Sequence, residues 1–317
     1  MKKRLPIAFL ILLLLIFTLF RPHDALKASL NGLMLWFYTI LPTLLPFLIL
    51  TNMVNTLDLG NSFTFFIRPL ICPLFHLSGN GCYILLMGLL CGFPMGAKLC
   101  GDFVRTGRIS VNEAQFLLPL CNMISPAFLI SYLLTALLHR TDHLLPFLFC
   151  IYFPLLVWGL FASRFLYDLK ISPQKASKDL ETNLSVTPFS AVLFDTCIMN
   201  GFEVITRLGG YLILFSLFSA VLAEIPFQSD FIRCFLLLIL EITNGAKVTA
   251  SSSLPETLKI FLILTGANLG GLSFLAQTSG MLKDTKLSLS RYIIEKAIIS
   301  AMTAFLCIFL IIQHIKA

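Results

Sequence analysis

Apolar runs long enough to cross a membrane recur along nearly the whole chain, and they constrain its fold more than any other feature. Examples are Leu5 to Phe20, Leu33 to Leu50, Phe116 to Leu138, Leu144 to Leu166 and Tyr292 to Ile312. A helix of about 20 apolar residues spans the bilayer core. Backbone in lipid must satisfy its own polar groups, so the spanning elements are helices. Charged residues are only 12% of the sequence, about half the share in an ordinary soluble domain. The expected class is an all-α, polytopic transmembrane bundle. One stretch reads as water-soluble, the linker 170–188 (KISPQKASKDLETNLSVTP), and it is too short to bury a core of its own. Whatever the chain does is therefore expected to be done by membrane-embedded residues.

Lys2, Lys3 and Arg4 precede the first apolar run, and no small-residue cleavage site follows it, which predicts a retained signal-anchor helix over residues 1–30. The net charge of +7 comes from basic residues flanking apolar runs, as the positive-inside rule requires, so no nucleic-acid role is assigned. With the N-terminus, the cluster Lys98, Arg105 and Arg108, and the linker lysines 170, 175 and 178 all cytoplasmic, about eight to ten membrane segments are expected. Phe63 to Leu77 then counts as an irregular segment, the run 189–222 is long enough to break at Gly209-Gly210, and Thr257 to Gln277 is either a full span or a re-entrant hairpin. The nine cysteines are scattered through apolar segments without a C-x-x-C pair, as packing residues are.

Self-comparison reveals an internal repeat. Gly96-Ala97-Lys98 in GFPMGAKLCGDF recurs as Gly245-Ala246-Lys247 in EITNGAKVTASS, an offset of 149. Asn122 is related to Asn268 by an offset of 146, which also superposes Phe128-Leu129 on Phe274-Leu275. A weaker echo links Asn31-Gly32 to Asn200-Gly201. The halves are expected at 31–169 and 189–317. If Asn31 lies outside and Asn200 follows the cytoplasmic linker, they have opposite orientation, the inverted-repeat plan of many secondary transporters.

Both repeated motifs set a lysine in or beside an apolar segment, where a charge needs a partner or a wet cavity. Gly92, Pro94, Gly96, Gly101, Gly245, Gly270 and Gly271 suit broken or re-entrant helices, whose freed backbone is tolerated only inside protein or along a cavity. Such breaks in transporters present helix N-termini to anions. Lys98 and Lys247 are thus candidate contacts for a small anionic solute. Asp102 lies four residues after Lys98 and can neutralise it, whereas the equivalent position in the second copy is Ser251, leaving Lys247 more available. Glu241, which falls where the first copy has Gly92, and Asp102 are candidate ion-coupling or structural acids. Asn122, Asn244, Asn268, Ser273 and Gln277 offer amides and a hydroxyl for substrate binding. The bland alternative is that the charges form internal ion pairs and the glycines pack helices. Glu203 and Arg207, four apart, read as a local salt bridge.

An enzyme is not expected, since no H-E-x-x-H, G-x-S-x-G or P-loop occurs. His139 and His143 sit in a short polar turn with nothing else converging on them, and zinc usually takes at least three protein ligands. No metal and no cofactor are assigned.

At GFPMGAK, EITNG and GGLSFLAQ the chain resembles the sporulation integral membrane protein YlbJ (stage V sporulation protein V) family, within the wider group of membrane proteins with nucleoside-recognition (Gate) domains. The resemblance runs from about Asn31 to the C-terminus. In the family the first motif more often reads GYPSGAK, the second EMTNG, and the third has a His where this chain has Leu275. That departure bears on any proton-relay or carboxylate-binding role that the family pattern implies at position 275. The resemblance implies a permease of endospore-forming bacteria in the outer forespore membrane, carrying dipicolinic acid, with other sporulation membrane proteins as candidate partners. The competing reading is a structural or assembly factor of the spore envelope.

Overall fold

The computed structural model describes residues 5–57, 59–140, 144–169 and 190–314. Lys2 to Arg4, the linker 170–188 and His143 lie outside these residues. The described chain is helical. α1 (Leu5–Phe20) is followed by α2 (Pro22–Leu35), which runs through a π-helical stretch at Trp36–Ile40 into α3 (Leu41–Thr56). Short helices α4 (Gly60–Thr64) and α5 (Arg68–Phe75) lead to α6 (Gly79–Cys91), α7 (Met95–Arg105) and α8 (Val111–Cys121). α9 (Pro126–Phe128) continues as a π-helix over Leu129–Leu137, and α10 (Leu144–Phe165) closes the first half. The second half holds α11 (Ala191–Ala223), α12 (Asp230–Leu240), α13 (Ile242–Ala250), α14 (Glu256–Leu269), α15 (Gly271–Met281) and α16 (Leu289–His314). Several helices begin at serines whose hydroxyls accept from backbone amides of the first turn: Ser78 from Gly81, Ser110 from Glu113, Ser125 from Phe128 and Ser190 from Leu193.

Among the described residues six helices have the length and hydropathy of membrane spans: Pro22–Thr56, Val111–Leu137, Leu144–Phe165, Ala191–Ala223, Glu256–Met281 and Leu289–Leu310. A seventh arises if Arg68–Phe75 and Gly79–Cys91, bent by 103°, count as one irregular segment, and the shorter apolar helix Ala8–Phe20 adds to these. Six or seven spans fall short of the eight to ten segments expected, because α1 is shorter than a full span and α12 and α13 are short helices. Large apolar side chains such as Phe9, Leu19, Phe66, Leu145 and Phe305 point outward, as a lipid-facing surface requires. The chain is an integral membrane protein.

Two expectations change. The run from Ala191 to Ala223 does not break at Gly209-Gly210. A side chain at Gly209 would come within 2.8 Å of the Trp36 ring, and Trp36 Nε1 donates to the Ile205 carbonyl at 2.8 Å, so Gly209 makes room for a docked indole within an unbroken helix. The boundary at 30/31 falls inside α2, so segment 22–30 is continuous with the first half. Glu256–Met281 is one span interrupted at Gly270.

The α2–α3 stretch and α11 pack against each other and run antiparallel. Gly32 faces Ile213 and Ser216, Trp36 meets Gly209, Gly201 faces Leu45 and Ile49, and Asn52 Nδ2 donates to the Cys197 carbonyl. Numbers rise along one helix as they fall along the other. Asn31-Gly32 and Asn200-Gly201 are offset by 169. The two helices that carry the Asn-Gly pairs therefore pack in opposite directions, through small residues that allow close approach. Antiparallel packing of these two helices is what an inverted repeat requires.

Candidate functional site

Each half breaks twice, at paired positions. The first break in each joins two short helices, α6 to α7 through Gly92-Phe93-Pro94 and α12 to α13 through Glu241. The second interrupts a span, after Asn122 in the first half and at Gly270 in the second. Gly92 and Gly270 carry φ of 72° and 86°, a left-handed backbone that glycine adopts without cost. Close packing closes the breaks on one another: a side chain at Gly96 would strike the Cys121 carbonyl at 2.2 Å, one at Gly245 the Leu238 backbone at 2.6 Å, and one at Gly271 the Ile239 carbonyl at 2.9 Å.

At two of these breaks side chains of the protein take freed backbone amides. Glu241 is fully buried, and its carboxylate caps α13, accepting from the amides of Thr243 (2.9 Å) and Asn244 (2.7 Å) and from Thr243 Oγ1 (2.5 Å). Its oxygens are thus committed to a structural cap. Asn122, equally buried, accepts from the Ala97 amide at 3.3 Å and donates to Thr278 Oγ1 (2.8 Å) and the Tyr292 hydroxyl (3.0 Å). It fastens the first-half break to the second half. Asn268 donates to the Ile151 carbonyl and Thr303 Oγ1, and Ser273 accepts from Gln277. Buried backbone and amide groups demand such partners, which leaves the lysines as the available anion contacts.

The two repeated lysines line separate polar cavities. Lys98 faces a cavity of ≈ 240 Å³ with Asn52, Asn55, Asp102 and Asn200. Its Nζ lies 2.8 Å from Asp102 Oδ2 and 3.5 Å from Asn52 Oδ1. Asp102 also accepts from Arg105 at 2.7 Å. Lys247 faces a cavity of ≈ 500 Å³ with Asn31, Asp230, Arg233, Asn244 and Ser251. Here Asn244 donates to Ser216 Oγ and Ser253 to Asp230, while among the described residues Lys247 has no ion pair. Arg233, which sequence reading passed over, adds a second cation whose buried Nε has no hydrogen-bond partner.

The cavities mirror the repeat. Each combines the lysine of one half with the asparagine of the other half's Asn-Gly pair: Lys98 with Asn200, Lys247 with Asn31. Asn31 and Asn52, on the same α2–α3 stretch, mark the two cavities and lie about 20 residues apart, roughly 30 Å at 1.5 Å per residue. That is about the thickness of the hydrocarbon core.

Between them in sequence lie Thr39, Ile40, Thr43 and Leu44, which line a third, mostly apolar cavity of ≈ 70 Å³ together with Cys91, Phe93, Ile124, Ser125, Thr243 and Phe274. Thr39 and Ile40 belong to the π-helical stretch, a distortion that recurs at functional sites. Phe93 and Phe274 stack at 4.2 Å between centroids, 9° from parallel, so each half contributes one ring. Lys296, also missed, is 1% exposed, has no hydrogen-bond partner for Nζ and lies 5.5 Å from the Phe93 centroid.

Glu203 and Arg207 form an exposed salt bridge at 2.7 Å. All nine cysteines are free. Among the described residues no group of three or more His, Cys, Asp or Glu is placed to hold a metal ion.

The chain is 24% identical over 306 aligned residues to the sporulation integral membrane protein YlbJ of Bacillus subtilis (strain 168), covering 87% of this chain and 74% of that protein. No protein-family model matches it, and no solved structure matches it. The similarity supports the family that the three motifs resemble.

Proposed function

We propose that this chain, a relative of the sporulation integral membrane protein YlbJ, is a permease that carries a small anionic solute, dipicolinate, across the outer forespore membrane. The observation that carries this reading is the exchange of residues between halves: two repeat-related lysine cavities, each completed by the opposite half and separated by roughly the thickness of a bilayer core. In an inverted repeat such a pair serves as the two mouths of one path, exposed in turn as the halves rock. Lys247 and Arg233 set two cations against Asp230 in the larger mouth, which attracts a dianion and raises its local concentration. The central cavity, at ≈ 70 Å³, is smaller than the roughly 150 Å³ that admits a benzene ring. The path is closed at its middle and must widen for an aromatic acid to pass.

No chemistry is assigned to the chain. It binds, excludes and releases.

The second reading, a structural or assembly protein of the spore envelope, draws on the first mouth. There Lys98, Asp102 and Arg105 form a connected ion network, and Arg105 also donates to the carbonyls of Met281 and Lys283 across the halves. Those contacts hold the bundle together without any solute.

Spore dipicolinate, measured by terbium fluorescence in a host lacking its own homologue, separates the two. Wild type is expected to restore dipicolinate, and Lys247→Ala to fail at equal membrane abundance. Restoration by both, or a loss explained by lower abundance, favours the structural reading.

A further inference from the structure

Among the described residues, charge pairing in the buried core leaves one lysine over. On α16, Glu295 is buried and fully engaged: it accepts from Tyr167 at 2.5 Å, Trp158 Nε1 at 3.2 Å and Arg291 Nε at 3.1 Å. Glu241 is committed to capping α13. Lys296, the next residue after Glu295, points to another side of the helix and is fully buried, with no hydrogen-bond partner among the described residues. A lone ammonium in such surroundings is costly, and intramembrane ionisable groups are retained where they meet a substrate or a partner.

The position of Lys296 says which. It lies on the face of α16 between Tyr292, whose hydroxyl bonds Asn122 at the first-half break, and Thr303, whose hydroxyl bonds Asn268 beside the second-half break. The carbonyl oxygens of Asn268 and Gln277 are likewise buried without partners. Phe93 lines the central cavity and at the same time carries the Lys296 ammonium 5.5 Å from its ring. The Phe93 ring thus meets the cavity and the amine at once.

We infer that Lys296 is the carboxylate-binding residue at the middle of the path, reached from the central cavity when Phe93 and Phe274 part. The inference rests on the permease reading and adds to it a midpoint site that neither repeat motif contains. A solute with a carboxylate and a flat ring would exchange Phe93's weak hold on the ammonium for an ion pair while stacking against the same aromatic pair.

The test is equilibrium binding of radiolabelled dipicolinate to the purified full chain in nanodiscs, with its uncharged dimethyl ester as competitor. Wild type is expected to bind dipicolinate and to ignore the ester, K296M to bind at least about tenfold more weakly, and K296R to recover part of the affinity. Reductive methylation of Lys296 in wild type and F93A, read by peptide mass, gives a measurement independent of how K296M folds. Lys296 is expected to be protected in wild type, reactive in F93A, and protected again by dipicolinate. Binding that K296M retains in full, or methylation that neither F93A nor dipicolinate changes, overturns the Lys296 assignment and leaves the permease reading standing. Failure of wild type to bind dipicolinate counts against that reading and takes this inference with it.

Discussion

The Lys98 and Lys247 mouths are built to one plan and charged differently. Each places a repeat-motif lysine beside an asparagine of the other half. At the first, Asp102 sits one helical turn on and takes both Lys98 and Arg105; at the second, the equivalent residue is Ser251, which bonds the Lys247 carbonyl and leaves the ammonium alone. A duplicated architecture fixes where the two openings are, while single side chains decide how strongly each attracts an anion.

The comparison breaks most sharply at Lys247. Lys247→Met is expected to lower dipicolinate uptake into vesicles by about tenfold or more, since each 1.4 kcal/mol of lost contact is a factor of ten; Lys98→Met is expected to cost several-fold less in the same assay. Equal losses would mean that the Asp102 pairing does not matter. Moving the acid is the sharper form of the same test. Ser251→Asp installs in the second mouth the (i, i+4) pairing of the first and is expected to reduce uptake by several-fold, and Asp102→Ser in the same chain, by freeing Lys98, to restore part of it. No recovery in the double variant would show that the mouths are not interchangeable.

Smaller effects test the packing beneath the symmetry. A methyl at Gly32 would meet the Ile213 backbone at 3.0 Å and Ser216 Oγ at 2.7 Å, whereas one at Gly201 would meet side-chain atoms of Ile49 and Leu45 at 3.1 and 3.3 Å and backbone only at 3.7 Å. Gly32→Ala is expected to destabilise the purified protein by about 1–3 kcal/mol and Gly201→Ala by less, as read from thermal unfolding. Glu203→Gln, which opens an exposed salt bridge, is expected to change stability by no more than about 0.5 kcal/mol.

Much of this was legible in the sequence. Hydropathy located the spans, and two short identities at near-equal offsets located paired helix breaks at Gly92, Glu241, Asn122 and Gly270. Tertiary contacts hid the rest. Gly209-Gly210 read as a break because nothing local shows that Trp36, about 170 residues away, docks there. Glu241 read as either a coupling or a structural acid, and its capping role was not visible because glutamate is not among the favoured N-cap residues, yet its extended backbone places the carboxylate over the amides of α13. Lys296 was passed over because Arg291, Glu295 and Lys296 look like a charged flank at the start of an apolar run. Only packing shows that Glu295 is consumed by Arg291, Tyr167 and Trp158 while its neighbour is left alone in the core.

The central claim, an anion path with one mouth organised by Lys247, is tested most directly by uptake of radiolabelled dipicolinate into liposomes holding only the purified chain. The account requires uptake above that of empty liposomes, insensitive to the uncharged ester and reduced to near background by Lys247→Met at equal protein content. Uptake no greater than that of empty liposomes, or uptake unchanged by Lys247→Met, would contradict it.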